Sequence, residues 1–241
     1  MRKSLLGLTL LGMTGTASAD FLGLYVGGGS WSHDPSGDFS STNGGSTIDM
    51  KNNLGFDKES EAYIWAAFDH PIPILPNIRV ERTPLLHEGT TSIVGAFNGQ
   101  PFILNEPAVV DLTSTDIIPY YRLLDNWVNL DVGLVLRKID GEFSVGSDAA
   151  DKQKFSETVP MVYLAAQFDL PLTGLSVGAD IKTLSVGDDS YSDLRLRAQY
   201  EMGVVGFELG TRTTNITLKD ASNINADLDF KGMMFGMYLH F

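Results

Sequence analysis

The feature that most constrains this chain is a repeated segment of about ten to twelve residues in which apolar and polar side chains alternate. An extended strand projects successive side chains to opposite faces, so each segment predicts a strand with one apolar face. The segments are joined alternately by short turns and longer polar loops, as is typical of transmembrane barrels. Ten segments can be counted, and we predict an all-β, ten-stranded antiparallel transmembrane β-barrel with short periplasmic turns and longer extracellular loops.

The connections follow from turn-forming and polar residues. Three prolines in residues 70–76 forbid ladder bonding and predict a rigid turn between the second and third strands. The returning strand should span 77–87, where Arg82 and Pro84 predict a bulge or the membrane boundary. Three long loops are predicted, at residues 32–58, 89–111 and 139–156. The apolar middle of the second loop should either extend a hairpin or fold inward as a constriction.

The first nineteen residues have the layout of a cleavable secretory signal. Arg2 and Lys3 form a basic start, 5–13 an apolar centre, and Ala17-Ser18-Ala19 a small-residue cleavage site. An amino-terminal membrane anchor is the alternative, but it needs about 20 apolar residues, and this run is shorter. We therefore expect residues 1–19 to be removed and residues 20–241 to form the barrel.

Composition narrows the functional classes. The net charge is −13, and without Arg2 and Lys3 it becomes −15, from 15 basic and 30 acidic residues. So acidic a protein repels nucleic acid, and we predict no nucleic-acid partner. The sequence contains no cysteine, so an exported protein of this kind must be stable without disulfides, as a closed hydrogen-bonded barrel is.

If the apolar strand faces point outward, charged residues of both signs occupy the lumen. The predicted lumen network consists of Arg79, Glu81, Asp116, Arg122, Asp131, Arg137, Asp180, Lys182, Arg195, Arg197, Glu208 and Arg212. A ten-stranded barrel is only slightly wider than the eight-stranded size that side chains just fill, and buried charges must be paired. We therefore predict a lumen filled by side chains, with a narrow solute channel as the alternative.

A hydrolase at the outer rim is a third hypothesis, because omptin proteases are ten-stranded outer-membrane barrels. His33 and His87 are the candidate residues, with Asp111 or Asp116 as a carboxylate partner. No omptin-like motif is evident, so we predict no catalytic residue. His70 and His240 fall at the periplasmic end.

Four acidic loop residues are candidate ligands for a metal ion. Asp148, Asp151, Asp188 and Asp189 are suitable ligands for calcium or magnesium, but their spacing defines no cage. We therefore predict no metal site and no cofactor.

The last ten residues resemble the terminal strand of bacterial outer-membrane barrels. Gly236, Leu239 and Phe241 match the assembly signal of such strands, whereas Met234 replaces a more usual polar residue. The resemblance implies insertion by the barrel assembly machinery.

Three motifs are similar to a Gly-Gly-containing family of uncharacterised Gram-negative outer-membrane β-barrel proteins. They are the segments 25–31, 70–79 and 120–127. The resemblance spans the mature chain and implies the bacterial outer membrane as location, but it transfers no catalytic residue. We predict a monomer of structural or surface-interaction type, in contact with outer-membrane lipid and lipopolysaccharide.

Overall fold

The computed structural model describes residues 22–147 and 152–241, and within these ranges it contains fifteen strands and no helix. The strands are β1 (Gly23–Ser41), β2 (Ile48–Asp49), β3 (Glu59–Asp69), β4 (Asn77–Thr83), β5 (Leu86–Thr90), β6 (Gly95–Phe97), β7 (Gln100–Phe102), β8 (Pro107–Asp111), β9 (Ser114–Asp125), β10 (Val128–Val145), β11 (Lys152–Leu170), β12 (Leu175–Val186), β13 (Asp189–Met202), β14 (Val205–Ala221) and β15 (Ile224–His240). Accordingly, no described segment could cross a membrane as a helix. The predicted signal, residues 1–19, and the aspartates Asp148 and Asp151 lie outside the described residues.

Ten of the strands close an antiparallel barrel. Around the wall they follow the order β1, β3, β4, β9, β10, β11, β12, β13, β14 and β15. The last strand, β15, pairs with β14 on one side and with β1 on the other, which closes the ring. The predicted ten-stranded antiparallel barrel is confirmed.

The three residues predicted to signal assembly lie on the closing strand β15 or directly after it. Leu239 is paired with Val26 of β1 and Val205 of β14. Phe241 exchanges two backbone hydrogen bonds with Leu24, at 2.9 and 3.0 Å. The final residues therefore complete the seam at which the barrel closes.

The outer face of the barrel carries a belt of exposed large apolar side chains, with members on all ten strands. Examples in strand order are Leu24, Ile64, Val80, Ile117, Leu134, Leu164, Val177, Leu196, Leu209 and Phe235. A soluble β-sandwich would instead bury such residues between its two sheets. The belt is the surface expected of a barrel that faces lipid.

The two ends of the barrel differ. One end, called the short-turn end, holds the start of β1, the end of β15 and the four connections 70–76, 126–127, 171–174 and 203–204. At the other end, called the long-strand end, strands extend well beyond the belt.

Two of the predicted long loops are shorter than expected. The prediction of a loop at 32–58 is wrong in its first part, because β1 continues to Ser41. In the predicted loop 139–156, residues 139–145 belong to β10 and residues 152–156 to β11. β1 and β15 remain paired as far as Ser41 and Ile224. The backbone hydrogen bonds of this pairing keep polar residues extended although they have little preference for strands of their own.

The returning strand is shorter than predicted. β4 ends at Thr83 and pairs with β9 without a bulge. Pro84 follows directly and has no N–H to continue the ladder. Residues 86–90 form β5 instead, which pairs with β8 rather than with the barrel wall. The expected irregularity near Arg82 is therefore a strand end.

Residues 48–56 and 85–112, which we call the cap, fold over the interior at the long-strand end. Within the cap, β5 pairs with β8 and β6 with β7, while β8 and β2 pair with the wall strands β10 and β1. Phe97 and Phe102 are fully buried, and the Phe97 ring lies 5.7 Å from that of Phe39. Phe39 of β1 in turn lies 5.0 Å from Phe143 of β10. The apolar middle of residues 89–111 therefore folds inward in part: Phe97 and Phe102 of the β6–β7 hairpin are buried, whereas Val94, Ile103 and Leu104 are exposed.

Candidate functional site

An ion-pair network crosses the barrel interior below the cap. It is built from inward-facing residues of β4, β9, β10, β12, β13 and β14, and each side chain is at most 3% exposed. We call it the central network: Glu81, Asp116, Arg137, Asp180, Lys182, Asp193, Arg195 and Arg212. Because side chains alternate along a strand, the apolar neighbours of these residues form the outer belt.

Glu81 is the most heavily paired carboxylate of the central network. Its oxygens lie 3.2 Å from Lys182 Nζ, 3.0 Å from Arg195 Nη2 and 3.4 Å from Arg212 Nη1. Arg79 on the same strand adds a contact of 3.2 Å. β4 and β13 lie on opposite sides of the ring, so the Glu81–Arg195 contact spans the lumen.

The other carboxylates of the network are also shared between cations. Asp116 receives two hydrogen bonds of 2.7 Å from Arg137 and one of 2.7 Å from Lys182. Asp193 bridges Arg137 at 2.7 Å and Arg212 at 2.6 Å. Paired charges of this kind are tolerated in a dry interior, whereas unpaired ones are not.

The predicted lumen residues occupy two layers. Arg79, Arg197 and Glu208 flank the central network, where Arg197 pairs with Asp180. Arg122 and Asp131 lie nearer the short-turn end. They are 3.0 Å apart, and Arg122 also lies 3.0 Å from Asp69.

One tyrosine side chain extends along the inner surface of the barrel over two glycines. Tyr63 of β3 donates a hydrogen bond of 2.9 Å to Glu208 of β14, although β1 and β15 lie between the two strands. A Cβ atom on Gly29 or Gly236 would stand 2.7 or 2.6 Å from the Tyr63 hydroxyl. The glycines are therefore required by the aromatic side chain that crosses them.

Between the central network and the short turns lies a cavity of about 940 Å³. Arg79 and Arg197 line it on the side of the network, and Asn126 and Leu172 line it from the turns. We call this cavity the vestibule. The vestibule extends to the short-turn end of the barrel, and the central network closes its opposite side.

The two histidines predicted as candidate rim residues meet where the cap, which contains His87, contacts His33 of β1. His33 Nδ1 lies 2.9 Å from His87 Nε2, and His33 Nε2 lies 3.3 Å from Glu61. The rings of Trp31, Phe56 and Phe230 surround the pair at 4.6–5.9 Å. His33 is 0% and His87 1% exposed, so a substrate at the rim does not reach them.

The structure corrects the predicted carboxylate partners of this histidine pair. Asp116 belongs to the central network, and Asp111 accepts a hydrogen bond from the Thr113 backbone at 2.8 Å. Glu61 takes the partner position. The other two histidines lie at the short-turn end, where His70 Nε2 is 3.1 Å from the Pro76 carbonyl and His240 Nδ1 is 3.3 Å from Glu201.

Burial determines the charge state of His87, which lies beyond the apolar belt. Burial and the neighbouring His33 lower the pKa of His87 to about 4, so its imidazole is neutral at pH 7. Burial raises the pKa of Glu61, but hydrogen bonds from His33 and the Leu86 backbone outweigh it, and the net pKa is lowered. A neutral His87 avoids the cost of burying a charge in the cap.

Sequence reasoning missed two members of these clusters. Asp193 lies on the same face of β13 as Arg195 and Arg197, and this alternation could have identified it. Glu61 shares its face of β3 with Tyr63, so its inward direction was also readable. Within residues 22–147 and 152–241, no group of three or more His, Cys, Asp or Glu side chains is placed to hold a metal ion.

The fold is similar to that of a solved outer-membrane enzyme. The outer membrane protease OmpT from Escherichia coli superimposes with a TM-score of 0.53, covering 95% of this chain and 99% of that one at 12% identity. At this identity the similarity shows the fold, that of an outer-membrane barrel, and nothing of the activity.

Two further solved barrels are more distant. The CymD monoaromatic hydrocarbon channel has a TM-score of 0.33 at 9% identity over 81% of this chain and 55% of its own. A FadL homologue from Pseudomonas aeruginosa has a TM-score of 0.36 at 7% identity over 92% of this chain and 90% of its own. No protein-family model and no curated protein matches the sequence, so membership of the Gly-Gly family stays a prediction.

Proposed function

We propose that this protein is a monomeric, non-conducting barrel of the bacterial outer membrane, with a structural or surface-interaction role. The apolar belt would contact lipid, and the short-turn end would face the periplasm, as in outer-membrane barrels generally. The extended strands and the cap would then stand among the lipopolysaccharide headgroups and outside them. The barrel assembly machinery would insert the chain through its terminal strand.

The observation that carries the proposal is that two barriers in series block the lumen. The first is the central network, in which Glu81 contacts Arg195 from the opposite wall at 3.0 Å. The second is the cap, whose buried Phe97 contacts Phe39 of the wall, which in turn contacts Phe143. A solute would have to separate buried ion pairs and then displace a packed apolar core, and both steps are costly.

The alternatives receive less support. The vestibule could admit a solute from the short-turn end, but the central network closes its far side. A rim hydrolase would need a His–carboxylate pair open to substrate, and in the pair that forms, His33 with Glu61, the histidine is fully buried.

The test is the conductance of the purified protein in planar lipid bilayers. The proposal expects insertion without steady current steps, since a filled lumen offers no continuous water path. Insertion is checked by resistance of the barrel to added protease. Reproducible steps of one size from the intact protein would contradict the proposal and favour the channel.

A further inference from the structure

The barrel wall has a notch at the long-strand end. The β12–β13 hairpin turns between Val186 and Asp189, whereas β14 continues to Ala221 on one side of it. On the other side, β11 begins at Lys152 but pairs with β12 only from Val162 onward. The interior is therefore reachable sideways, above the hairpin.

Behind the notch lies an apolar pocket of about 390 Å³. Its walls come from β10, β11 and β14 and are formed chiefly by Ile139, Phe143, Phe155, Val159, Ile216 and Leu218. Tyr191 and Leu184 of the short hairpin also line it. This apolar lining contrasts with the ion-paired central network. Apolar cavities of this kind hold water poorly and accept apolar molecules.

The rim of the pocket is acidic. Glu157 and Asp189 are its two ionisable carboxylates, and no Lys, Arg or His is among the described lining residues. Each is held in place: Ser222 Oγ donates to Glu157 at 3.2 Å, and the Lys219 backbone donates to Asp189 at 2.7 Å. Both negative charges therefore stand at the edge of an apolar space.

We propose that this pocket binds a small cationic amphiphile, with a compact apolar body inside the wall and a protonated amine between Glu157 and Asp189. The volume is within the usual range for small-molecule sites, about 300–1,000 Å³, and a few polar groups at an apolar pocket are the usual source of specificity. The site does not depend on whether the lumen conducts. Failure of this proposal would leave the closed-barrel proposal in place.

The test compares three probes with one apolar body and different charge: adamantanamine, adamantanol and adamantanecarboxylate. Binding is measured by calorimetry at pH 7 on the full protein in zwitterionic lipid nanodiscs, with empty nanodiscs subtracted. The amine should bind best and the carboxylate worst. Each rim carboxylate should contribute about two- to fivefold in affinity, as partly exposed ion pairs do. Equal affinities for the three probes, or no binding above that of empty nanodiscs, would overturn the proposal.

Variants separate the pocket from nonspecific partition. Leu184→Trp should fill the pocket and abolish binding of both amine and alcohol, whereas Val177→Trp, on the outer face of the same strand, should not. Glu157→Gln should weaken the amine alone and leave the alcohol unchanged, while Asp188→Asn at the hairpin tip serves as the matched control. If Leu184→Trp binds the amine as well as the wild type does, the site is not this pocket.

Discussion

Glu81 is the residue on which the interior electrostatics depend most. It is 1% exposed and contacts four cations, three of them on the opposite side of the barrel. Desolvation of so many charges is costly, and only complete pairing offsets it. Neutralising this one carboxylate removes a partner that Lys182, Arg195 and Arg212 share.

We expect Glu81→Gln to lower the free energy of unfolding by about 3–5 kcal/mol, the usual loss when a buried pair is broken from one side. The measurement is the urea midpoint in detergent micelles. Glu88→Gln, at an exposed position of β5, should change stability by less than about 0.5 kcal/mol. Equal midpoints for the two variants would show that the central network contributes little.

The buried histidine pair predicts an acid-sensitive cap. The pKa of His87 is lowered from 6.5 to about 4, so the folded cap binds a proton less readily than the open one. The stabilisation is therefore complete above pH 6.5 and is lost as the pH falls towards 4. Nearby Glu61, Asp34 and Asp57 modulate this shift.

Intrinsic amide exchange slows as the pH falls from 7 to 5. We expect exchange in residues 48–56 to slow less than this, which gives an excess rate at pH 5 because the cap opens more easily. His87→Gln keeps a hydrogen-bonding group but does not titrate, so it should remove this excess. His70→Gln, at the short-turn end, is the control and should behave as the wild type does. An excess that persists in His87→Gln would assign the acid response to another group.

Among the elements, the closing strand β15 and the residue after it contain both an outward-facing aromatic residue of the apolar belt and the predicted assembly signal. Phe235 and Phe241 are similarly exposed, at 57% and 61%. Phe235 lies in the middle of the apolar belt, whereas Phe241 lies at the seam and bonds to Leu24 through its backbone alone. The two aromatic residues therefore have separable roles.

We expect Phe241→Ser to reduce the amount of barrel inserted in cells severalfold, while the free energy of unfolding of refolded protein, from urea titration, changes by less than about 1 kcal/mol. Phe235→Ser should instead lower that free energy, because it places a hydroxyl against lipid. Heat-modifiable mobility on gels reports the folded fraction in each case. Normal insertion of Phe241→Ser would argue against the predicted assembly signal.

For the whole molecule, the two barriers act in series. Removing one should leave the other in place, so a single change in either the cap or the central network is not expected to open the lumen. The vestibule already provides a wide path up to the network. A continuous water path through the lumen therefore requires changes in both the cap and the central network.

We expect replacement of residues 92–104 by a short Gly-Ser linker to produce no steady current, because the central network still fills the lumen below. Combining this replacement with Glu81→Ala and Arg195→Ala should produce measurable current steps in planar bilayers. The double substitution alone, with the cap intact, is the matched control. Steady current from the linker variant alone would show that the cap is the only barrier.

The amino-acid sequence determined the barrel itself, because alternation acts at the scale of neighbouring residues. Each strand carries its own two-residue period, so the apolar belt, the inward position of Arg137 or Lys182, and the number of strands could all be predicted from local pattern. The turn at 70–76 was equally local, since the three prolines within these seven residues lack the N–H donors that a strand ladder would need.

The tertiary structure alone decided how those inward residues combine. Whether Glu81 meets Arg195 depends on curvature and stagger around ten strands, quantities that no single strand encodes. The same holds for His33 and His87, which are 54 positions apart. The extension of β1 to Ser41 required a partner strand for a polar segment, and the cap required a closed wall to fold into. Local pattern therefore specified the faces of the strands, and closure of the ring specified the contacts across them.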